Sequence, residues 1–149
     1  MQKQLNSTKI WIARLLIALV TVMNLQAAFQ FMLRPHNYAW GFELSGTPGS
    51  AILKGMGLLF LMWNIPYIFA AVHPVRNFVS LIEALLMQLV GVAGETILLL
   101  QLPGGHPIIQ ASVMRFIVFD AAGLLLLLIA FCLCLKQARQ RKKTVKAEM

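Results

Sequence analysis

Four long apolar runs, separated by breaks rich in proline and glycine, constrain this chain more than any other feature. They cover roughly residues 10–33, 51–72, 78–102 and 109–135, and each is near the ~20 residues a helix needs to cross a bilayer. The breaks read "RPHNYAWGFELSGTPGS", "HPVRN" and "PGGHP", and Pro and Gly in such clusters stop helices and make turns. The 149 residues are 59% hydrophobic and 12% charged, with a mean hydropathy of +0.75. Soluble domains sit nearer half apolar and about a quarter charged. The expected fold is all-α, a four-span transmembrane bundle over residues 1–135 with a basic tail over 136–149.

Charge sets the expected orientation. The net charge of +8 is crowded into the end of the chain, at Lys136, Arg139, Arg141, Lys142, Lys143 and Lys146. An even number of spans puts both termini on one side. That side then holds Lys3, Lys9, Arg14, Arg76 and the tail, while the other holds Arg34, Lys54 and Arg115. Because Lys and Arg accumulate in cytoplasmic loops, both termini are read as cytoplasmic, in the inner (plasma) membrane of a bacterium. The tail would meet anionic lipid head groups. There is no basic face interleaved with aromatics and no recognisable module, so nucleic acid is not an expected partner. The basic flanks and apolar core of the first segment suit a signal peptide, but its apolar stretch runs on past Asn24 to Leu33, long for such a core. It is read as an uncleaved first helix. Trp11 and Trp40 fall near the proposed boundaries, where interfacial aromatics belong. The loop "NYAWGFEL" is read either as a short interfacial helix or turn, or as an ordinary surface loop.

The stretch "MQLVGVAGETILLL" raises the chemical question, since it carries Gln88 and Glu95 inside an apolar run. Ionisable residues within spans are rare, face the bundle interior and mark candidate sites. Here they are Lys54, Glu83, Glu95, Arg115 and Asp120, joined by amides at Asn24, Gln26, Gln30, Asn64 and Gln88. Counted along the helices, Glu95, Arg115 and Lys54 fall in one layer near the outer face. A carboxylate without a partner in hydrocarbon is costly. Glu95 is therefore expected to meet a cation, with Arg115 preferred over Lys54 for its bidentate fork. At about 100° per residue, Ala84, Gln88, Gly91 and Glu95 form one stripe of the third span, expected to face the bundle centre. Gly57 and Asn64 share a face of the second, and Pro66 is expected to kink it. Asp120 lies deeper and is expected to reach an amide on the first span, such as Asn24 or Gln30.

Two readings compete for this layer. One is a set of interhelical bonds that lock the bundle. The other is a small polar cavity for an ion, a quinone head group or a polar metabolite. Cys132 and Cys134, two residues apart on a helix, point to nearly opposite sides and read as packing residues. The histidines at 36, 73 and 106 have no metal-ligand spacing. No phosphate loop, nucleophile elbow or zinc motif is present.

One series of motifs carries a family resemblance. "FMLRP" ends the first span, then come "GFEL", "ILKGMGLLFLMW" and the turn "HPVRN". Over about Phe31–Gly94 this order resembles the DoxX-like small four-helix membrane proteins, with Pro35, Lys54, Gly55 and Gly57 at the recurring positions. The resemblance implies a compact four-helix bundle. Some members of that group accompany quinone-linked oxidoreductase complexes or redox homeostasis. No catalytic motif carries across, and the basic tail and the Asn64–Pro66 pair are not part of the group's pattern. The first functional expectation is a non-catalytic accessory or scaffold subunit, in a larger membrane complex or a homo-oligomer. The alternatives are a small-ligand or quinone-binding module, with quinone as its cofactor, and a transporter acting as an oligomer.

Overall fold

The computed structural model of the chain describes residues 7–147, with side chains as far as Arg141. Lys3 lies outside the described residues, as do the side chains of Lys142, Lys143 and Lys146. The described chain is all-helical: α1 (Ser7–Leu33), a short α2 (His36–Ala39) continued by a 3-10 turn (Trp40–Phe42), α3 (Gly46–Val72), α4 (Phe78–Gln101) and α5 (Pro107–Ala147). Four of these helices are long and apolar enough to cross a membrane.

Helices α3 and α5 begin earlier than their apolar runs, for a local reason. "GTPGS" is not part of the loop but the first turn of α3. Pro48 fits there because the first-turn N–H groups have no intrahelical acceptor, so its missing donor costs nothing. Pro107 opens α5 in the same way. At its other end α5 does not stop at 135 but runs on through the basic segment. No Gly or Pro follows Gly123, and Lys, Arg, Gln and Ala are strong helix formers. As far as Ala147, the segment read as a tail is the helical extension of the fourth span. Pro66, expected to kink the second span, lies inside α3, which is one helix from Gly46 to Val72.

The four long helices form a closed ring. α1 packs on α3 and α5, and α4 completes the ring by packing on the same two. The start of α1, the end of α5 and the 73–77 turn lie at one end, here the termini end. The 34–45 and 102–106 connections lie at the other, the loop end. The core between them sets small residues, Ala13 of α1, Ala70 of α3, Ala84 of α4, and Ala130 and Cys134 of α5, among the larger Ile17, Val20, Leu81 and Leu127. Small side chains let backbones approach closely, which is how helices associate where surrounding lipid is as apolar as they are. At Gly57 a Cβ would sit 2.7 Å from the Ala28 carbonyl oxygen and from Met32 Cγ. That position admits glycine alone without moving α1 away from α3. The outside of the four long helices is dominated by apolar side chains. Leu100 is 80% exposed, Leu33 76% and Val90 69%, and at most 28% of the residues in each span's most apolar stretch are buried. A chain folded for water would hide these residues; a bilayer is the solvent that suits them.

The two ends are closed differently. At the loop end, Phe31 is ringed by Tyr38, Phe42, Phe60 and Phe116, with centroids 5.3–6.3 Å away. Glu43, in the left-handed region at φ 54°, ends the 3-10 turn. Its carboxylate meets His106 Nδ1 at 2.6 Å, tying the two loops together. At the termini end, side chains add donors to carbonyls in the last turn of α3, where the His73 N–H also reaches Phe69 O. Arg14 Nε donates to Ala71 O at 3.2 Å, and Asn77 Nδ2 donates to Phe69 O at 2.7 Å. Arg14 also lies over the Trp11 ring, 4.4 Å from its centroid. Cys134 is buried and Cys132 exposed, as two helix positions with opposite outlooks must be.

Candidate functional site

The polar centre of the bundle is built by three residues on three helices. Gln88 of α4 is 3% exposed. Its Oε1 accepts a hydrogen bond from the Tyr67 hydroxyl of α3 at 2.6 Å. Its Nε2 donates to Asp120 of α5, to Oδ1 at 2.9 Å and to the backbone oxygen at 3.2 Å. One amide thus joins α3, α4 and α5, using its acceptor in one direction and its donors in the other. Gln88 and Asp120 each lie 13 residues from the loop-end terminus of their helix, roughly 20 Å along it. That is near the middle of a bilayer's ~30 Å hydrocarbon layer.

Two glycines make the space. A Cβ on Gly91 would collide with Asp120 Oδ2, and a Cβ on Gly123 would lie 2.8 Å from Gln88 Nε2. Gly91 is one turn beyond Gln88 on α4, and Gly123 follows Asp120 by three residues on α5, so each helix offers a notch to the other's polar side chain. The same Gly123 position faces Val20 of α1, which brings all four long helices to this point. The stripe Ala84, Gln88, Gly91 and Glu95 runs down the side of α4 that contains it, with Ala84 and Gln88 buried.

The other expected site residues are placed as follows. Glu95 is half-buried, within Coulombic reach of Asp120, and its Oε2 is buried with no hydrogen-bond partner in the protein. The expected Glu95–Arg115 pair does not form. Arg115 is exposed, and its Nη2 donates instead to Ser112 Oγ at 3.0 Å. Lys54 is exposed too, and the Glu43–His106 contact is the one ion pair among the described residues. The common depth of Glu95, Arg115 and Lys54 was not enough, because both cations lie on outward faces of their helices. Asp120 does not reach the first span: it bonds Gln88, while Asn24 is half-buried and makes no bond to it. Asn64 is buried, donates from Nδ2 to Phe60 O at 2.7 Å within its own helix, and leaves Oδ1 without a protein partner.

Tyr67, Ser112 and Gly123 were missed by sequence reasoning, although each had a positional signal. Tyr67 lies three residues past Asn64, Gly123 three past Asp120 and Ser112 three before Arg115, and residues three apart on a helix share a face. Ser112 is the pivot of a second, smaller arrangement. It is buried, donates to Gly41 O of the 3-10 turn at 2.6 Å, and accepts from Arg115.

Fold and site together define an all-helical chain with four membrane-length helices, tied at mid-depth by an amide, a phenol and a carboxyl. Comparison with protein families, curated proteins and solved structures finds no match to this chain.

Proposed function

We propose that this is a non-catalytic, multi-pass protein of a bacterial inner membrane, with both termini cytoplasmic, serving as an accessory or scaffold subunit. The observation that carries the reading is the use of the polar interior. Tyr67, Gln88 and Asp120 bond to one another across three helices, and the space around them is set by Gly91 and Gly123. Such a centre joins helices, which leaves the wide apolar exterior as the surface that meets other molecules. The cytoplasmic termini follow from Lys and Arg. Arg14, Arg76, Lys136, Arg139 and Arg141 lie at the termini end, as positive-inside insertion favours. The likeness of "FMLRP" and "ILKGMGLLFLMW" to DoxX-like proteins, some of which accompany oxidoreductase complexes, points the same way.

Extraction in a mild detergent, followed by mass measurement of the intact assembly, tests the proposal. A defined hetero-assembly or a fixed multiple of this chain is the expected result. A lone chain, recovered from its native membrane without partners under conditions that keep known complexes whole, would sink it.

One observation favours a second reading, a site for a small ligand such as a quinone: Asn64 Oδ1 and Glu95 Oε2 are buried without protein partners. Titration with a short-chain quinone separates the two. Thermal stabilisation of the wild type that vanishes in Asn64→Leu would favour the ligand site; no stabilisation of either leaves the scaffold reading.

A further inference from the structure

At the loop end, an open groove of about 590 Å³ is lined by Trp40, Pro107, Ile108, Ala111, Met114 and Arg115. Its walls are almost wholly apolar, with one cation among them. The geometry points to a binding site for a single anionic phospholipid, its phosphodiester held by Arg115 and its acyl chain laid along Ile108, Ala111 and Met114.

The placement of Arg115 carries the inference. It lies eight residues into α5, about 12 Å along the helix axis, where an outward-facing guanidinium would otherwise meet hydrocarbon. Helix side chains lean toward the N-terminus, and for α5 that direction is the loop end. The bond from Nη2 to Ser112 Oγ, one turn nearer that end, fixes the lean. Ser112 is itself held by Gly41 O, so the chain Arg115–Ser112–Gly41 is anchored in the loop cap. The guanidinium is thereby presented at head-group level, and among the described residues most of its donors are unused and no carboxylate pairs with it. A planar guanidinium fork matches a phosphodiester in shape and charge. Trp40 stands at the rim, 61% exposed, its indole N–H fixed on Asn37 O at 2.8 Å. Such an aromatic belongs at the boundary between head groups and chains.

This goes beyond the scaffold proposal and needs only that the helices lie in a bilayer, so its failure would leave the partner stoichiometry untouched. The test uses the full chain in nanodiscs holding equal amounts of dioleoyl phosphatidylglycerol and dioleoylglycerol. After transfer to mild detergent, retained lipid is counted by native mass spectrometry. The expected result is one phosphatidylglycerol per chain in preference to the diacylglycerol, with roughly tenfold weaker retention in Arg115→Gln, the loss of a charge-assisted bond. Arg115→Lys should fall between, and Arg34→Gln, which removes a charge from the same end outside the groove, should match the wild type. Arg115 is exposed, so Arg115→Gln is expected to melt as the wild type does, and Ser112→Ala, which frees the guanidinium, gives a second reading of the same site. Equal retention by wild type and Arg115→Gln would overturn the proposal. So would equal retention of the two lipids, displacement of the lipid by millimolar inorganic phosphate, or a co-purifying acidic protein that occupies the groove in place of lipid.

Discussion

The middle of the bundle and its loop end both contain polar groups that a bilayer punishes, and they handle them in opposite ways. In the middle, side chains bond to side chains: Tyr67 to Gln88 and Gln88 to Asp120, each from a different helix. At the loop end, side chains bond to backbone or to the neighbouring loop: Ser112 to Gly41 O, Trp40 to Asn37 O, Glu43 to His106. The difference follows from what is available. At mid-depth the backbone carbonyls already accept helical N–H groups and offer a side chain only a second, shared bond, as Phe60 O does to Asn64, so the short links between helices run from side chain to side chain. Near the end, turns leave carbonyls free and head groups are within reach, so a group such as Arg115 can be half-satisfied by protein and still face outward.

That contrast orders the expected effects of substitution, each read by unfolding in detergent. Gln88→Leu should cost most, about 2–4 kcal/mol, because it strands both the Tyr67 hydroxyl and the Asp120 carboxyl. The double change Gln88→Leu with Asp120→Leu sharpens the point. Removing donor and acceptor together should recover part of the loss, whereas purely additive losses would mean the two do not act as a pair. Gly57→Val should come next, at about 1–3 kcal/mol, since its Cβ runs into the Ala28 carbonyl where α1 and α3 touch.

Comparison of these positions also shows what the sequence made legible. The four helices were readable because apolar length in a bilayer leaves few alternatives. The inward stripe of α4 was readable because one helix carried Ala84, Gln88, Gly91 and Glu95 in register. Partner choice was not. Arg115 and Asp120 are five residues apart, which turns them about 140° from each other around α5. Only one of them can face α4, and depth along the helix says nothing about which. The structure turns Asp120 inward and Arg115 outward, so the expected Glu95 pair was lost on an angle rather than on a distance. The continuation of α5 through the basic segment was hidden for a different reason: loss of hydropathy ends a membrane span, but it does not end a helix.

Smaller effects test the loop end against the middle. Tyr67→Phe should cost only about 1 kcal/mol, because it removes one of the bonds to Gln88 while keeping the ring in place. Glu43→Gln should fall lower still, about 0.5 kcal/mol or less, since its contact with His106 is partly exposed. If Glu43→Gln proved more damaging than Gln88→Leu, the ranking of the two regions would be reversed.

The membrane crossing itself is open to the most direct measurement. With Cys132 and Cys134 replaced by Ala, a single cysteine is placed at the loop end by Gly104→Cys or at the end of α5 by Ala147→Cys. Intact cells are then treated with a maleimide that cannot cross membranes. Gly104→Cys should react at once and Ala147→Cys only after permeabilisation. Reaction of both in intact cells would contradict four crossings with shared cytoplasmic termini.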